Sequence, residues 1–334
     1  MTINFEAQCR ALVVELGLGR AKDIESIQAL AGGVSSDIAV VSLANRKICI
    51  KGALPQLKVA AQWLAPVHRN ATEYRWLSTV SKILPDSVPK LYGQSLSLGA
   101  FAMEFLDPSK YMNWKASLLA GRIEPHTAGA VAQALAKIHA HTSSKTFEAE
   151  AFQAKDDFHA LRLEPYLEFT AHKHPSLKDK LFEMSRDFHL AQIALVHGDV
   201  SPKNILMGPQ GPVLLDAEYA VMGDPAFDIA FCMNHFLLKA FLNPERALAL
   251  MTLLEHFWQA YQTALCWEGA ETLEARVARL LPALMLARVD GKSPVEYLSA
   301  TQQDLIRGFV IPFIQDSPAS LKTLLAGLIK TLKL

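Results

Sequence analysis

Hydrophobic positions at Phe5, Leu12, Val13 and Leu16 form a helical stripe that Gly17 ends. The period then shortens. Ile24 to Leu30, Ile38 to Leu43 and Lys47 to Lys51 read as strands, separated by Ala31-Gly32-Gly33-Val34-Ser35-Ser36-Asp37 and by the turn Ala44-Asn45-Arg46. Alternation in the third strand puts Lys47, Cys49 and Lys51 on one face and Ile48 and Ile50 on the other. Leu57 to His68 and Ala71 to Leu84 read as helices, and Val88 to Gln94 and Leu98 to Phe105 as two further strands. Beyond them the pattern is helical: His126 to His141 with Val131, Leu135 and Ile138 on one face, then Phe152 to Phe169, Leu177 to Gln192, Glu245 to Cys266, Thr272 to Val289 and the remainder to Leu334.

One stretch, Leu195 to Glu218, interrupts the helices. Its apolar runs Leu195–Val196 and Val213–Leu215 read as short buried strands whose ends present Asp199 and Asp216. Asn204 follows Asp199 by five positions, and Asp216 follows Asn204 by twelve, across Gly208-Pro209-Gln210-Gly211-Pro212. The residue types suit phosphate chemistry. Magnesium takes hard oxygen ligands and keeps several waters, so one carboxylate and one amide oxygen suffice. A reacting hydroxyl needs a carboxylate within hydrogen-bond reach.

This stretch resembles the catalytic segment of kinase-fold phosphotransferases. His197-Gly198-Asp199 and Asp216-Ala217-Glu218 are similar to the aminoglycoside phosphotransferase and choline kinase group, where protein kinases usually carry His-Arg-Asp and Asp-Phe-Gly. The likeness runs from about Ile24 to about Leu298. It implies an α+β, bilobal protein-kinase-like fold: residues 1–105 as a nucleotide-binding lobe with a five-stranded antiparallel sheet, and 106–334 as a larger, mainly helical lobe, with a hinge at about 104–108. It implies ATP and Mg²⁺ as cofactors. Asp199 would align the acceptor hydroxyl and take its proton; Asn204 and Asp216 would hold metal, and Glu218 would either touch a second magnesium, directly or through water, or be structural. Lys51 would contact the phosphates, steadied by Glu73, twenty-two residues on. Gly32, Gly33, Ser35 and Ser36 would fold over the triphosphate. Met103 would line the adenine pocket, and Glu104 and Leu106 would offer backbone groups to its edge. Where many protein kinases carry a lysine two residues after the catalytic Asp, this chain has Ser201 and the lysine falls at Lys203, which would either steady the transferring group or be solvated.

Other positions read as structural. Asp224 suits an N-cap and Pro225 the first helical position, while Asp228 resembles a family acid that braces the catalytic loop. His139 and His141, two apart on a helix, face different ways and do not suit joint metal binding. Ser293, followed by Pro294 and Glu296, reads as a capping box, and Arg288 and Lys292 as surface charge, with a position facing substrate as the alternative.

Composition narrows the class further. The 334 residues are 51% hydrophobic and 20% charged, and 33 Lys plus Arg balance 33 Asp plus Glu. A broad nucleic-acid surface needs clustered positive charge, so none is expected. Cys9, Cys49, Cys232 and Cys266 form no CxxC and read as reduced thiols. With no apolar run of about 18 residues and no signal-like start, a cytoplasmic protein without membrane contact is expected. The expected partner is a small hydroxylated molecule, with Glu218 and Asp224 hinting at a cationic one. A nucleotide-binding pseudokinase and a protein kinase are the alternatives; the first predicts a missing catalytic group, and the second fits poorly with His-Gly-Asp and Asp-x-Glu.

Overall fold

Alternation along three consecutive strands builds the first part of the chain. The computed structural model describes residues 4–30, 36–53 and 68–334. They form two units, Met1–Tyr111 with Leu215–Glu218, and Met112–Leu214 with Tyr219–Leu334. In the first unit, helix α1 (Phe5–Glu15) is capped by the Asn4 side chain, which accepts the Glu6 N–H at 3.1 Å. Strands β1 (Ile24–Ala29), β2 (Ser36–Leu43), β3 (Arg46–Ala53), β4 (Leu91–Ser95) and β5 (Ala100–Glu104) form one antiparallel sheet in the order β1-β2-β3-β5-β4. Ala39, Val41, Leu43, Ile48, Ile50, Ala100 and Ala102 face Cys9, Leu12 and Val13 of α1 in one buried cluster. The other face carries Lys51, registered between Ile38 and Phe101. Helix α2 (Arg69–Ile83) buries Glu73, Trp76, Leu77 and Val80, and its Tyr74 ring meets Phe101 edge-on at 5.7 Å. The five strands fall where alternation places them. The glycine turn with Gly32, Gly33 and Ser35, and nearly all of the helix expected from Leu57 to His68, lie outside the described residues.

The second unit opens with β6 (Met112–Asn113) and helices α3 (Trp114–Leu119), α4 (Pro125–Thr142), α5 (Lys155–Phe158), α6 (Phe169–Lys173) and α7 (Lys178–Leu190). Strands β7 (Ala194–Val196), β8 (Ile205–Gly208), β9 (Gly211–Leu214) and β10 (Val221–Gly223) follow, then α8 (Pro225–Leu242), α9 (Ala247–Gln262), α10 (Ala270–Asp290), α11 (Ala300–Gln315) and α12 (Leu321–Leu332). β7 pairs antiparallel with β10, and β8 with both β6 and β9, so residues 197–204 loop from one small sheet to another. Two residues set the entry to α8 as expected: the Asp224 side chain accepts the Ala226 N–H, and Pro225 takes the first turn.

Three expectations are corrected. The span 152–169 is not one α-helix: between α5 and α6 the segment His159–Glu168 is a π-helix containing Pro165. Proline has no N–H and its ring crowds the preceding turn, which shifts the bonding one residue further back. Ser293 opens no helix. The capping box in this region is Ser299 with Gln302, while Ser293 accepts from Arg288 through its carbonyl and its hydroxyl. Arg288 is accordingly half-buried rather than a surface charge. The short β6, β8, β10 and α3 carry too few residues to show a period.

α8 is the axis of the second unit. Nearly every side chain from Pro225 to Phe241 is buried, as expected of a helix apolar on all sides. Phe227 sits 4.9 Å from the Phe158 ring, 6.2 Å from Phe188 and 5.6 Å from Phe231. We expect Phe227→Ala to lower unfolding stability by about 3–5 kcal/mol in urea titrations; a loss under about 1 kcal/mol would show that the cluster does not hold α8 in place.

Candidate active site

In the first unit the sheet and α2 bring three ionisable groups together. Lys51 is 3% exposed. Its ammonium lies 2.6 Å from Glu73 Oε2 and donates to Asp216 Oδ1. Glu73 Oε1 accepts the Asp216 backbone N–H at 3.1 Å, so the glutamate holds both the lysine and the backbone of the aspartate. Asn70 adds a bond from Nδ2 to the Lys51 carbonyl at 3.3 Å. Asp216 has φ of 69°, a left-handed conformation uncommon outside glycine. Such strain persists only where the surroundings impose it.

The electrostatics follow from one cation serving two anions. Burial works against the Lys51 charge, but Asp216, Glu73 and Glu218 outweigh it and hold its pKa above the ordinary lysine value. Burial pushes the Glu73 carboxyl up to about 7, against the pull of Lys51 and with the Asp216 charge adding to the rise. Lys51 therefore stays charged, while burial makes the Glu73 carboxyl easier to protonate than an ordinary glutamate.

Ser36, the described end of the expected phosphate loop, is buried with a hydroxyl that has no hydrogen-bond partner among the described residues. Met103 is 8% exposed and registers opposite Cys49. Glu104 donates its N–H to the Lys90 carbonyl at 2.8 Å, and Leu106 is half-buried. The Glu218 carboxylate is buried 3.4 Å from Arg69 Nε, itself buried, and neither of its oxygens has a hydrogen-bond partner among the described residues. No spacing or motif singles out Arg69 in the sequence.

In the second unit the loop between β7 and β8 is held from behind. Asp228 of α8 accepts the His197 N–H at 2.6 Å on Oδ2 and the Gly198 N–H at 2.9 Å on Oδ1. His139 of α4 lies 3.3 Å from Asp228 through Nε2 and 2.7 Å from the Tyr261 hydroxyl through Nδ1. That is a buried structural role for His139, while His141 points outward. Gly198 explains the missing arginine of His-Arg-Asp. Its φ is +80°, and a Cβ there would lie 2.9 Å from the Tyr219 carbonyl oxygen. The Asp199 N–H donates to His197 Nδ1 at 3.1 Å, and Asn204 Nδ2 to the Asp199 carbonyl at 3.1 Å. The bond fixes the Asn204 amide through its nitrogen and does not involve its Oδ1.

The Asp199 carboxylate is 3% exposed and meets two cations on Oδ2, Arg162 Nη2 at 3.0 Å and Lys203 Nζ at 3.3 Å. Lys203 is half-exposed, so it is neither buried nor simply solvated. Arg162 was invisible in the sequence. It donates to the Gly198 carbonyl at 2.6 Å and to the Leu161 carbonyl at 2.8 Å, and its guanidinium stacks 3.5 Å from the Tyr219 ring centroid. The one sequence signal near it is Pro165, which marks the irregular turn that carries the arginine.

A model of the phosphotransferase enzyme family matches residues 26–273. The chain is 26% identical over 238 residues to methylthioribose kinase of Escherichia coli O45:K1 (strain S88 / ExPEC), covering 62% of this chain and 56% of that protein. It is 25% identical over 260 residues to methylthioribose kinase of Geobacillus sp. (strain WCH70), covering 70% and 64%. The chain thus spans 56% to 64% of the length of these curated relatives. In fold it is similar to choline kinase LicA from Streptococcus pneumoniae, with a TM-score of 0.54, 16% identity and coverage of 93% of this chain and 99% of that one. It is also similar to the amicoumacin kinase hAmiN, with a TM-score of 0.57, 14% identity and coverage of 96% and 98%.

The bracing of the loop has a measurable consequence. Asp228→Ala leaves two buried N–H groups without an acceptor, each costing about 1–3 kcal/mol. We expect a total loss near 2–5 kcal/mol in urea unfolding, together with faster hydrogen exchange at His197 and Gly198. Unchanged exchange at both amides would show that other contacts hold the loop.

Proposed function

We propose, for a chain that belongs to the phosphotransferase enzyme family, that it moves the γ-phosphoryl group of ATP to a hydroxyl of a small metabolite. The observation that carries this is the buried Lys51 shared by Glu73 and Asp216. Two carboxylates and an ammonium withdrawn from water cost stability in desolvation. A site for a metal-bound polyphosphate accounts for that cost, because it needs a fixed cation and a fixed oxygen ligand together.

The donor set fits magnesium, with Asp216 and Asn204 as the hard oxygen ligands assigned to it. Glu218, drawn to Arg69, is assigned an outer role in fixing the segment that carries Asp216. When bound, magnesium offsets phosphate charge. The chain's own groups do the rest. Lys51 contacts phosphate oxygens, kept in place by Glu73. The Ser36 hydroxyl and the backbone of the turn with Gly32, Gly33 and Ser35 supply further donors. Met103 and the backbone of Glu104 and Leu106 are assigned to the adenine. Asp199 orients the acceptor hydroxyl and accepts its proton late, since transfer is mostly positioning and charge neutralisation. Arg162 aims that carboxylate, and Lys203, on the same oxygen, is assigned to the phosphoryl group as it passes. The amicoumacin kinase to which the fold is similar holds AMP-PNP and Ca²⁺, which supports a metal–nucleotide reading here. The methylthioribose kinases among the relatives put a sugar-like acceptor first on any panel.

The test is ADP release from purified protein with ATP, Mg²⁺ and a panel of methylthioribose, choline, ethanolamine, aminoglycosides, D-ribonate and D-ribose 5-phosphate. We expect one acceptor class to stimulate release. Asp199→Ala is expected to keep ATP affinity and lose about 10²–10⁴-fold in turnover. Full turnover in that variant would refute the assignment. ATP binding without turnover on any hydroxylated acceptor would point instead to a nucleotide-binding regulator.

A further inference from the structure

Of the acids that hint at a cationic acceptor, Asp224 is bound by Arg276 Nε at 2.6 Å and Nη2 at 3.1 Å, and Glu218 is buried against the positive charge of Arg69 at 3.4 Å. The second unit instead gathers positive charge along α8. His235 follows Asp228 by seven residues and Lys239 by eleven, so all three share one helix face. Lys239 is 4% exposed, yet no carboxylate among the described residues pairs with it. Its ammonium donates to the His235 carbonyl at 3.2 Å and lies 5.9 Å from the Tyr297 ring centroid.

Other cations surround it. Lys115 of α3, Arg288 of α10 and Lys203 of the loop all act on His235, which burial and these charges hold neutral, well below the ordinary histidine value. Burial, then Lys115, brings Lys239 down to about 8, with Arg288 adding to the fall and Glu296 and the Cys232 thiol opposing it. Glu296 answers little of this charge: it is mostly exposed and already paired with Lys115 at 3.4 Å. Two donors in the same cluster, Arg288 Nε and the Tyr297 hydroxyl, are buried without a hydrogen-bond partner among the described residues. The cluster therefore holds donors in excess and lacks acceptors.

It also connects to the catalytic loop. Arg162, bound to Asp199, lies 5.9 Å from the Phe231 ring, and that ring is 5.7 Å from His235. Arg288 reaches the Tyr166 hydroxyl at 3.5 Å, and Tyr166 lies 5.6 Å from Phe231.

We propose that the phosphoryl acceptor is an anion, a several-carbon polyol whose carboxylate or phosphate lies against Lys239, Arg288 and Tyr297 while its hydroxyl meets Asp199. This rests on the phosphotransferase reading above. The Lys239 ammonium reaches back to the His235 carbonyl, two helical turns along α8 from the Asp228 that holds the loop of Asp199. The charged group and the reacting hydroxyl are therefore assigned to opposite ends of the acceptor, as in a sugar acid or sugar phosphate.

The stability of the fold gives an independent readout. The folded pKa of Lys239 is about 8 and its ordinary value is 10.5, so between these the unfolded chain binds more protons and stability rises with pH. Below about 8 the buried charge is a full penalty. Lys239→Met is therefore expected to raise the melting temperature at pH 7, with the gain fading as the pH approaches 10.5.

Isothermal titration with D-ribonate, D-ribose 5-phosphate, D-ribose and choline tests the site. We expect at least one of the two anions to bind about 10-fold or more tighter than ribose or choline, and Lys239→Met to lose that preference while melting higher. Preference for ribonate or for ribose 5-phosphate tells the carboxylate from the phosphate. Equal binding of ribose or choline, an anion preference that survives in Lys239→Met, or a lower melting temperature in that variant overturns the proposal. If the anion preference depends on Lys239 but the bound anion is not phosphorylated by ATP, the anion site stands and the phosphotransfer reading falls.

Discussion

A buried ammonium must be answered by negative charge, and Lys51 is answered twice. Its place on β3 comes from strand alternation, because the same register that turns Ile48 and Ile50 onto α1 turns Lys51 to the opposite face. α2 packs on that face and delivers Glu73. Glu73 then reaches both the ammonium and the backbone of Asp216, whose left-handed conformation needs such support. Removing any one of the three groups strands the other two in a medium of low polarity. The first unit thus has a sheet, a helix and a distant segment of chain tied to a single positive charge.

The second unit solves the converse problem. Its loop must hold a carboxylate, Asp199, in a fixed place with little solvent. Asp228 accepts the two N–H groups that precede it, His139 and Tyr261 stand behind Asp228, and Arg162 takes one oxygen of Asp199. Each link is a charge met by several donors or a donor met by a charge, the combination that makes a buried polar network rigid. α8 is apolar on nearly all sides because it must carry Asp228 through the middle of the unit without disturbing the packing around it.

Much of this was legible in the chain because it is local. Asp199, Asn204 and Asp216 lie within one short stretch; Lys51 is betrayed by alternation, and Asp224-Pro225 by capping chemistry. What was not legible is set by contacts between distant residues. Arg162 meets Gly198 across 36 positions, and no period or turn signal distinguishes it from any other helical arginine. Arg69 is hidden in the same way beside Glu218. Ser293 shows the opposite failure. Its local signature is complete, yet Arg288 takes its oxygens and the capping box forms six residues later at Ser299. The helix expected over 152–169 fails at Pro165 for a reason the chain does state, but the outcome, a π-helix, depends on what the segment packs against.

Charge counted along a sequence differs from charge felt in a site, and the acceptor question turns on that difference. The chain is neutral overall, and its acids near the catalytic stretch suggest a cationic partner. In three dimensions those acids lie against Arg69 and Arg276, while Lys239 and Arg288 pair with no carboxylate among the described residues. Burying the Lys239 ammonium away from any paired carboxylate among the described residues works against the fold, and an anion bound there offsets that cost. In a phosphotransferase the acceptor hydroxyl approaches a phosphate already dense with negative charge, and an anionic acceptor would be repelled unless the enzyme supplied compensating cations at the far end of the molecule. Lys239 and Arg288, placed beyond the catalytic loop and not on it, offset that repulsion without competing for the phosphoryl group.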